Sequence, residues 1–123
     1  MATIEITQDN LTETVEKNDI LLLDFWADWC GPCKQFSPVY EAASDANPDI
    51  VFGKVDTEDQ QQLAASAGIS SIPTLMAFRE GVLVFSQPGA LNSAQLDKVI
   101  EAVRDLNMEE VHAQVAAAEA EQQ

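Results

Sequence analysis

Positive charge is scarce in this chain, with six Lys and Arg against 21 Asp and Glu and a formal net charge of -15 at pH 7. A surface of that sign repels nucleic-acid phosphates and anionic lipid headgroups, which excludes nucleic-acid and membrane binding driven by charge. Long apolar runs are missing too. The longest in the first half, Ile20 to Leu23, is cut by Asp24, far short of the roughly 20 residues of a membrane-spanning helix. The N-terminus carries no basic start, apolar stretch or small-residue cleavage site, so no secretory signal is read and a cytoplasmic protein is expected. No Gly-rich dinucleotide loop occurs, and no bound cofactor is expected. The nitrogen and sulfur ligands of a structural zinc site are few: one histidine, His112, and two cysteines, Cys30 and Cys33. Zinc normally takes four ligands, so no metal site is expected within one chain. A site shared by two copies is the metal alternative, and the apolar setting of the cysteines weighs against it.

What is present suits one globular domain: 123 residues, 46% hydrophobic and 7% aromatic, enough apolar material for a single core. Ile4 and Ile6 alternate with polar residues as in a half-buried strand, and Thr7-Gln8-Asp9-Asn10 then leads into a short helix through Leu11 and Val15. Ile20 to Trp26 is apolar except for Asp24, the texture of a central strand covered on both faces. From Pro32 onward, Phe36, Val39, Tyr40 and Ala43 share a helical face, with a bend expected at Pro38 and an end at Asn47-Pro48. Val51 to Asp56 reads as a strand. Thr57-Glu58-Asp59-Gln60 has the spacing of a capping box opening a helix that Gly68 closes. Thr74 to Phe78 and Val82 to Phe85, joined by Arg79-Glu80-Gly81, predict an antiparallel hairpin. Ser93 is the expected cap of a helix that buries Leu96, Val99, Ile100, Val103 and Leu106. The expected domain covers residues 1–108. Residues 109–123, rich in Ala, Glu and Gln, predict a solvated continuation of the last helix that frays at its end.

The two cysteines form C-x-x-C directly between a buried strand and a helix. Bare C-x-x-C is a weak signal, since zinc ribbons share it. Here the i, i+3 spacing brings the Cα atoms within disulfide range, so two sulfurs can join or part with little backbone movement. Cys30 is expected at the helix entrance, where free N–H groups and the positive dipole end stabilise a thiolate, which suits a nucleophile. Cys33, one turn inside and expected to be more buried, suits the resolving role. Pro32 fits the first helical turn, where its missing N–H costs nothing. A buried inert pair is the alternative, and Gly31-Pro32, which place the pair at an exposed element end, count against it. Asp24 interrupts a strand where a carboxylate is expensive, unless it turns to solvent at the strand end.

The segment Phe25-Trp26-Ala27-Asp28-Trp29-Cys30-Gly31-Pro32-Cys33-Lys34 resembles the active-site motif of the thioredoxin family. The similarity runs from about Ile4 to about Leu106 and takes in Asp24, Lys54, Ile72-Pro73-Thr74 and Gly89-Ala90. Ser70-Ser71 and Pro88 depart from the family's usual residues in the substrate groove. The resemblance implies an α/β thioredoxin fold, a three-layer α/β/α sandwich with a mixed central β-sheet. It implies a protein-disulfide reductase working through Cys30 and Cys33, monomeric, acting on disulfide-containing proteins and recycled by an NADPH-dependent thioredoxin reductase. Asp24 would be the buried acid beneath Cys33 that moves a proton, with Lys54 nearby, although an ordinary strand-edge lysine is an equal reading of Lys54. Trp29, Gly31, Pro32, Ile72, Pro73 and Gly89 would form the substrate surface. In it, a cis Ile72-Pro73 bond would present the Ile72 backbone and Gly89 would leave room for an extended segment. A trans proline starting a strand is the alternative at Pro73.

Overall fold

Alternation along one strand organises the molecule. In β2 (Ile20–Trp26), Ile20 and Leu22 project to one side of the sheet and Leu21, Leu23 and Phe25 to the other, as period-two geometry requires. A strand apolar on both sides needs a covering layer on each. The computed structural model, which describes residues 2–122, supplies both. Met1 and Gln123, the outer ends of the expected domain and tail, lie outside the described residues.

The sheet has five strands in the order β1-β3-β2-β4-β5, formed by β1 (Thr3–Glu5), β2, β3 (Val51–Asp56), β4 (Thr74–Arg79) and β5 (Val82–Pro88). β2 is central, as its apolarity predicts. It runs parallel to β3 and antiparallel to β4, and β1 is parallel to β3 while β5 is antiparallel to β4. The sheet is therefore mixed. On the Leu22 side, α2 (Gly31–Ala46) and α4 (Ser93–Arg104) bury Phe36, Tyr40, Leu96, Ile100 and Val103. On the Leu23 side, α1 (Leu11–Lys17) and α3 (Gln61–Ser66) bring Leu11, Val15 and Leu63 against Phe25 and Val55.

Gly53 on β3 marks a close approach, because a Cβ there would lie 2.5 Å from Ile6 Cγ1. Its carbonyl accepts the Tyr40 hydroxyl at 2.8 Å, tying α2 to the sheet through a fully buried side chain. At the far end of β2 from Trp26, the Arg79 guanidinium donates to the carbonyls of Val103 and Arg104, where α4 leaves its last C=O groups free. Arg104 in turn forks onto both carboxylate oxygens of Asp49.

Several local expectations change. Ile6 is buried just past β1, whereas Ile4, on the edge strand, is 44% exposed. Pro38 lies inside α2, which ends at its C-cap Asn47 as the Asn47-Pro48 pair predicts. The Thr57 capping box does not form: the Thr57 hydroxyl donates to the Trp26 carbonyl at 2.9 Å, and Asp56 takes up the Glu58 and Asp59 amides instead. Helix α3 begins at Gln61 without a side-chain cap and closes at Gly68, whose φ of 71° is the left-handed conformation that ends helices. The cap of α4 is Asn92, one residue before Ser93, in a reciprocal box with Gln95. The tail is not a continuation of α4. Asp105 to Asn107 break the helix, the Asn107 side chain caps a new one, α5 (Met108–Glu121), and Met108 is buried. Val111 and Val115 border a cleft with Val82 and Val84 of β5, and His112 Nε2 lies 2.9 Å from Glu80 Oε1.

Candidate active site

The chain leaves β2 at Trp26 and enters α2 at Gly31, which places the cysteine pair at a strand-to-helix junction. Cys30 is the N-cap of α2, extended at φ -87° and ψ 113°, and Pro32 occupies the first turn. The Cys33 backbone N–H donates to Cys30 Sγ at 3.2 Å, so one of the amides a helix start leaves unpaired points at sulfur. The pair is joined as a disulfide with Cα atoms 5.3 Å apart. Cys30 Sγ also lies 3.7 Å from the Ile72 carbonyl oxygen. Burial does not separate the two residues as expected, since each is 4% exposed in this joined state. What separates them is position: Cys30, the cap, receives the Cys33 N–H at its sulfur, and Cys33 belongs to the helix.

Asp24 projects to the same side of β2 as Leu22, toward α2. It is 1% exposed, and neither carboxyl oxygen has a hydrogen-bond partner, so the reading of a strand-end residue turned to solvent is overturned. Burial pushes its pKa up from 3.8 to about 7, the positive charge of Lys54 opposes this, and the negative field of Glu41 adds to it. Lys54 is the in-register neighbour of Asp24 on β3. It is no edge lysine, because β3 lies between β1 and β2 and its side chain reaches inward. Its Nζ donates to Ser37 Oγ at 3.3 Å and stands 5.0 Å from the centroid of the Trp26 ring. Asp24, Trp26, Cys33, Lys34, Ser37 and Lys54 border one cleft of about 190 Å³. Sequence reading missed Ser37 and Glu41. The signal was there, since both follow Cys33 at intervals of four along α2 and so share its face.

The rim of the site is apolar. Trp29 is 69% exposed, and its indole N–H donates to Glu58. Ile72 packs against the cysteines, and the Ile72–Pro73 peptide bond is cis. Gly89 has φ 104°, a conformation that side chains strain, and its N–H donates to the Pro73 carbonyl at 2.8 Å. A Cβ there would meet nothing within 4 Å, so the backbone angle is what requires glycine. Gly31 and Pro32 are exposed beside Cys30. The structure thus brings together Cys30, Cys33, Asp24, Lys54, Trp29, Ile72 and Pro73 at the end of β2. Among the described residues, no cluster of three or more His, Cys, Asp or Glu could hold a metal.

Comparison with known proteins agrees at the levels of sequence and fold. The Thioredoxin family model matches residues 2–102. A Streptomyces coelicolor protein named "Putative thioredoxin 2" is 59% identical over 98% of this chain and 90% of its own length. A thioredoxin of Porphyra purpurea is 39% identical over 81% of this chain and 95% of its own. Among solved structures, a mutant thioredoxin from Halobacterium salinarum superposes with a TM-score of 0.79 at 33% identity, covering 85% of this chain and 92% of that one. The thioredoxin of Plasmodium falciparum gives 0.74 at 33% identity, covering 80% and 96%. Matches that span nearly the whole of each relative, together with this chain's own cysteine pair where β2 meets α2, leave one conclusion: this chain belongs to the thioredoxin family and is a thiol–disulfide oxidoreductase.

Proposed function

We propose that the protein reduces disulfides in other proteins and is returned to its dithiol form by an NADPH-dependent thioredoxin reductase. In the reduced state, the Cys30 thiolate attacks one sulfur of a substrate disulfide, forming a mixed disulfide and releasing the other substrate sulfur as a thiolate that takes up a proton. The Cys33 thiol then gives its proton to the Asp24 carboxylate, and its thiolate attacks Cys30 Sγ. The second substrate sulfur leaves, and two electrons have passed from the cysteine pair to the substrate. The observation that carries this reading is the Cys33 N–H directed at Cys30 Sγ at 3.2 Å, because a donor in that place stabilises the thiolate that must both attack and later leave. Asp24, with its pKa near 7, suits a group that gains and loses a proton at neutral pH.

The exposed Trp29 ring, Gly31, Pro32 and the Ile72–Pro73–Gly89 backbone form the surface on which an extended substrate segment lies beside Cys30. Lys54 moderates the acidity of Asp24. The same reading makes the protein a monomeric electron carrier of a reducing, cytoplasmic compartment, where open dithiols persist. The test is reduction of an insulin-type disulfide with NADPH oxidation followed through a thioredoxin reductase. Turnover is expected with the native pair. A Cys33→Ser protein should accumulate a covalent adduct through Cys30, visible by mass spectrometry without reductant. If Cys30→Ser traps substrate and Cys33→Ser does not, the roles are reversed.

A further inference from the structure

Asp24 and Lys54 sit side by side on parallel strands and project to the same face, a placement in which an ammonium and a carboxylate ordinarily close into an ion pair. Here they do not. Both Asp24 oxygens are without a partner, while the Lys54 ammonium donates to Ser37 Oγ at 3.3 Å and rests over the Trp26 ring. Ser37 reaches it from α2, one turn beyond Cys33, and all of these groups border the same cleft. The other ionisable groups around Asp24 are Glu41 and the buried Tyr40 of α2, with Asp28 and Lys34 at the rim of the cleft. Glu41 accepts the Thr3 hydroxyl with one oxygen and keeps the other buried without a partner.

We propose that Ser37 is a positioning residue of the redox site: its hydroxyl, with the Trp26 ring, holds the Lys54 ammonium off Asp24 and so keeps that carboxyl unpaired beneath Cys33, able to exchange the resolving thiol's proton. An ammonium that closed to roughly 4–6 Å of the carboxylate would lower its pKa by about 1–3. The acid would then be ionised throughout the neutral range and a weak proton acceptor. The proposal rests on the reading of Asp24 as proton carrier, but the placement of Lys54 by Ser37 can be tested apart from it.

The Asp24 carboxyl carbon is followed by NMR in the oxidised protein, across pH 4 to 10 on the order of the range its titration spans, in the native protein, Ser37→Ala, Ser37→Thr, Lys54→Met and the double variant Ser37→Ala/Lys54→Met. Ser37→Ala should lower the Asp24 midpoint by about one pH unit or more, as Lys54 closes on the carboxylate. Ser37→Thr, which keeps the hydroxyl, should titrate like the native protein. Once Lys54 is Met, adding Ser37→Ala should change nothing. An unchanged or raised midpoint in Ser37→Ala, or a shift that persists without Lys54, overturns the proposal. The rate of mixed-disulfide resolution against pH supplies the second arm. If its acid limb moves down with the Asp24 midpoint, proton transfer and positioning are both supported. If the midpoint moves and the rate profile does not, Asp24 is not the proton carrier, and Ser37 still positions Lys54.

Discussion

The two faces of β2 end differently. On the side covered by α1 and α3, Leu21, Leu23 and Phe25 form an unbroken apolar row. On the side covered by α2 and α4, Ile20 and Leu22 begin the same way, but the third residue in the row is Asp24. One strand therefore serves two purposes through its pleat alone. The Phe25 face contributes burial, and the Asp24 face gives up part of its burial to keep an unpaired acid beside a disulfide. Asp24 is as buried as the apolar residues of the opposite row, and the cost of its carboxylate appears as a raised pKa.

The contrast can be broken most completely at the sulfur. Cys30→Ser should reduce disulfide reduction to background while the unfolding midpoint of the reduced protein stays near that of the reduced native form, since one small side chain replaces another at a helix cap. Turnover and thermal melts of both proteins check this together. Phe25→Ala, on the opposite face, should cost about 3–5 kcal/mol of stability and leave per-molecule activity in the remaining folded protein close to native. Denaturant titration with parallel assays separates the two effects.

Asp24→Asn sharpens the comparison by making the two faces more alike. The folded pKa of Asp24 lies above the unfolded value, so the native state binds this proton more tightly, and stability falls as pH rises from about 4 through about 7. Above that window the ionised carboxylate costs on the order of 4 kcal/mol, at about 1.4 kcal/mol per pKa unit. Asparagine should recover much of this at pH 8 and little at pH 4, with slower turnover in both cases. Equal stabilisation at the two pH values would contradict the buried-acid account. The smallest effect is expected at the tail: ending the chain after Met108 uncovers part of β5 and should lower stability by about 1–2 kcal/mol, read as a shift of a few degrees in Tm, with disulfide reduction unchanged.

The central strand and the cysteine junction were legible because their signals are local: seven nearly all-apolar residues, then C-G-P-C at the start of a helical pattern. Side-chain capping was not. Thr57 has the right spacing, but its hydroxyl meets the Trp26 carbonyl from a neighbouring strand, a contact no local pattern contains. The cap of α4 fell one residue away from Ser93 because Asn92 and Gln95 can satisfy each other's amides reciprocally. The tail misled for a related reason. Its few valines look too sparse to pack, yet they border β5, 29 residues earlier in the chain at Val82 against Val111, and Asn107 gives the segment its own start. At the site, Asp24 stood out as a charge in an apolar run. Ser37 did not, since a serine on a helix is unremarked until the lysine across from it is known.

The placement of the arginines bears on how this protein meets its partners. Arg79 and Arg104, the only arginines among six basic residues, are both engaged at the foot of the sheet, securing the end of α4 far from the disulfide. Beside the cysteine pair stand Lys34 and Lys54, the latter turned inward, in a chain whose net charge is -15. A partner approaching a protein of that net charge diffuses through a negative overall potential. Cationic partners are drawn in and oriented before contact, anionic ones are slowed, and dissolved salt narrows the gap between the two encounter rates.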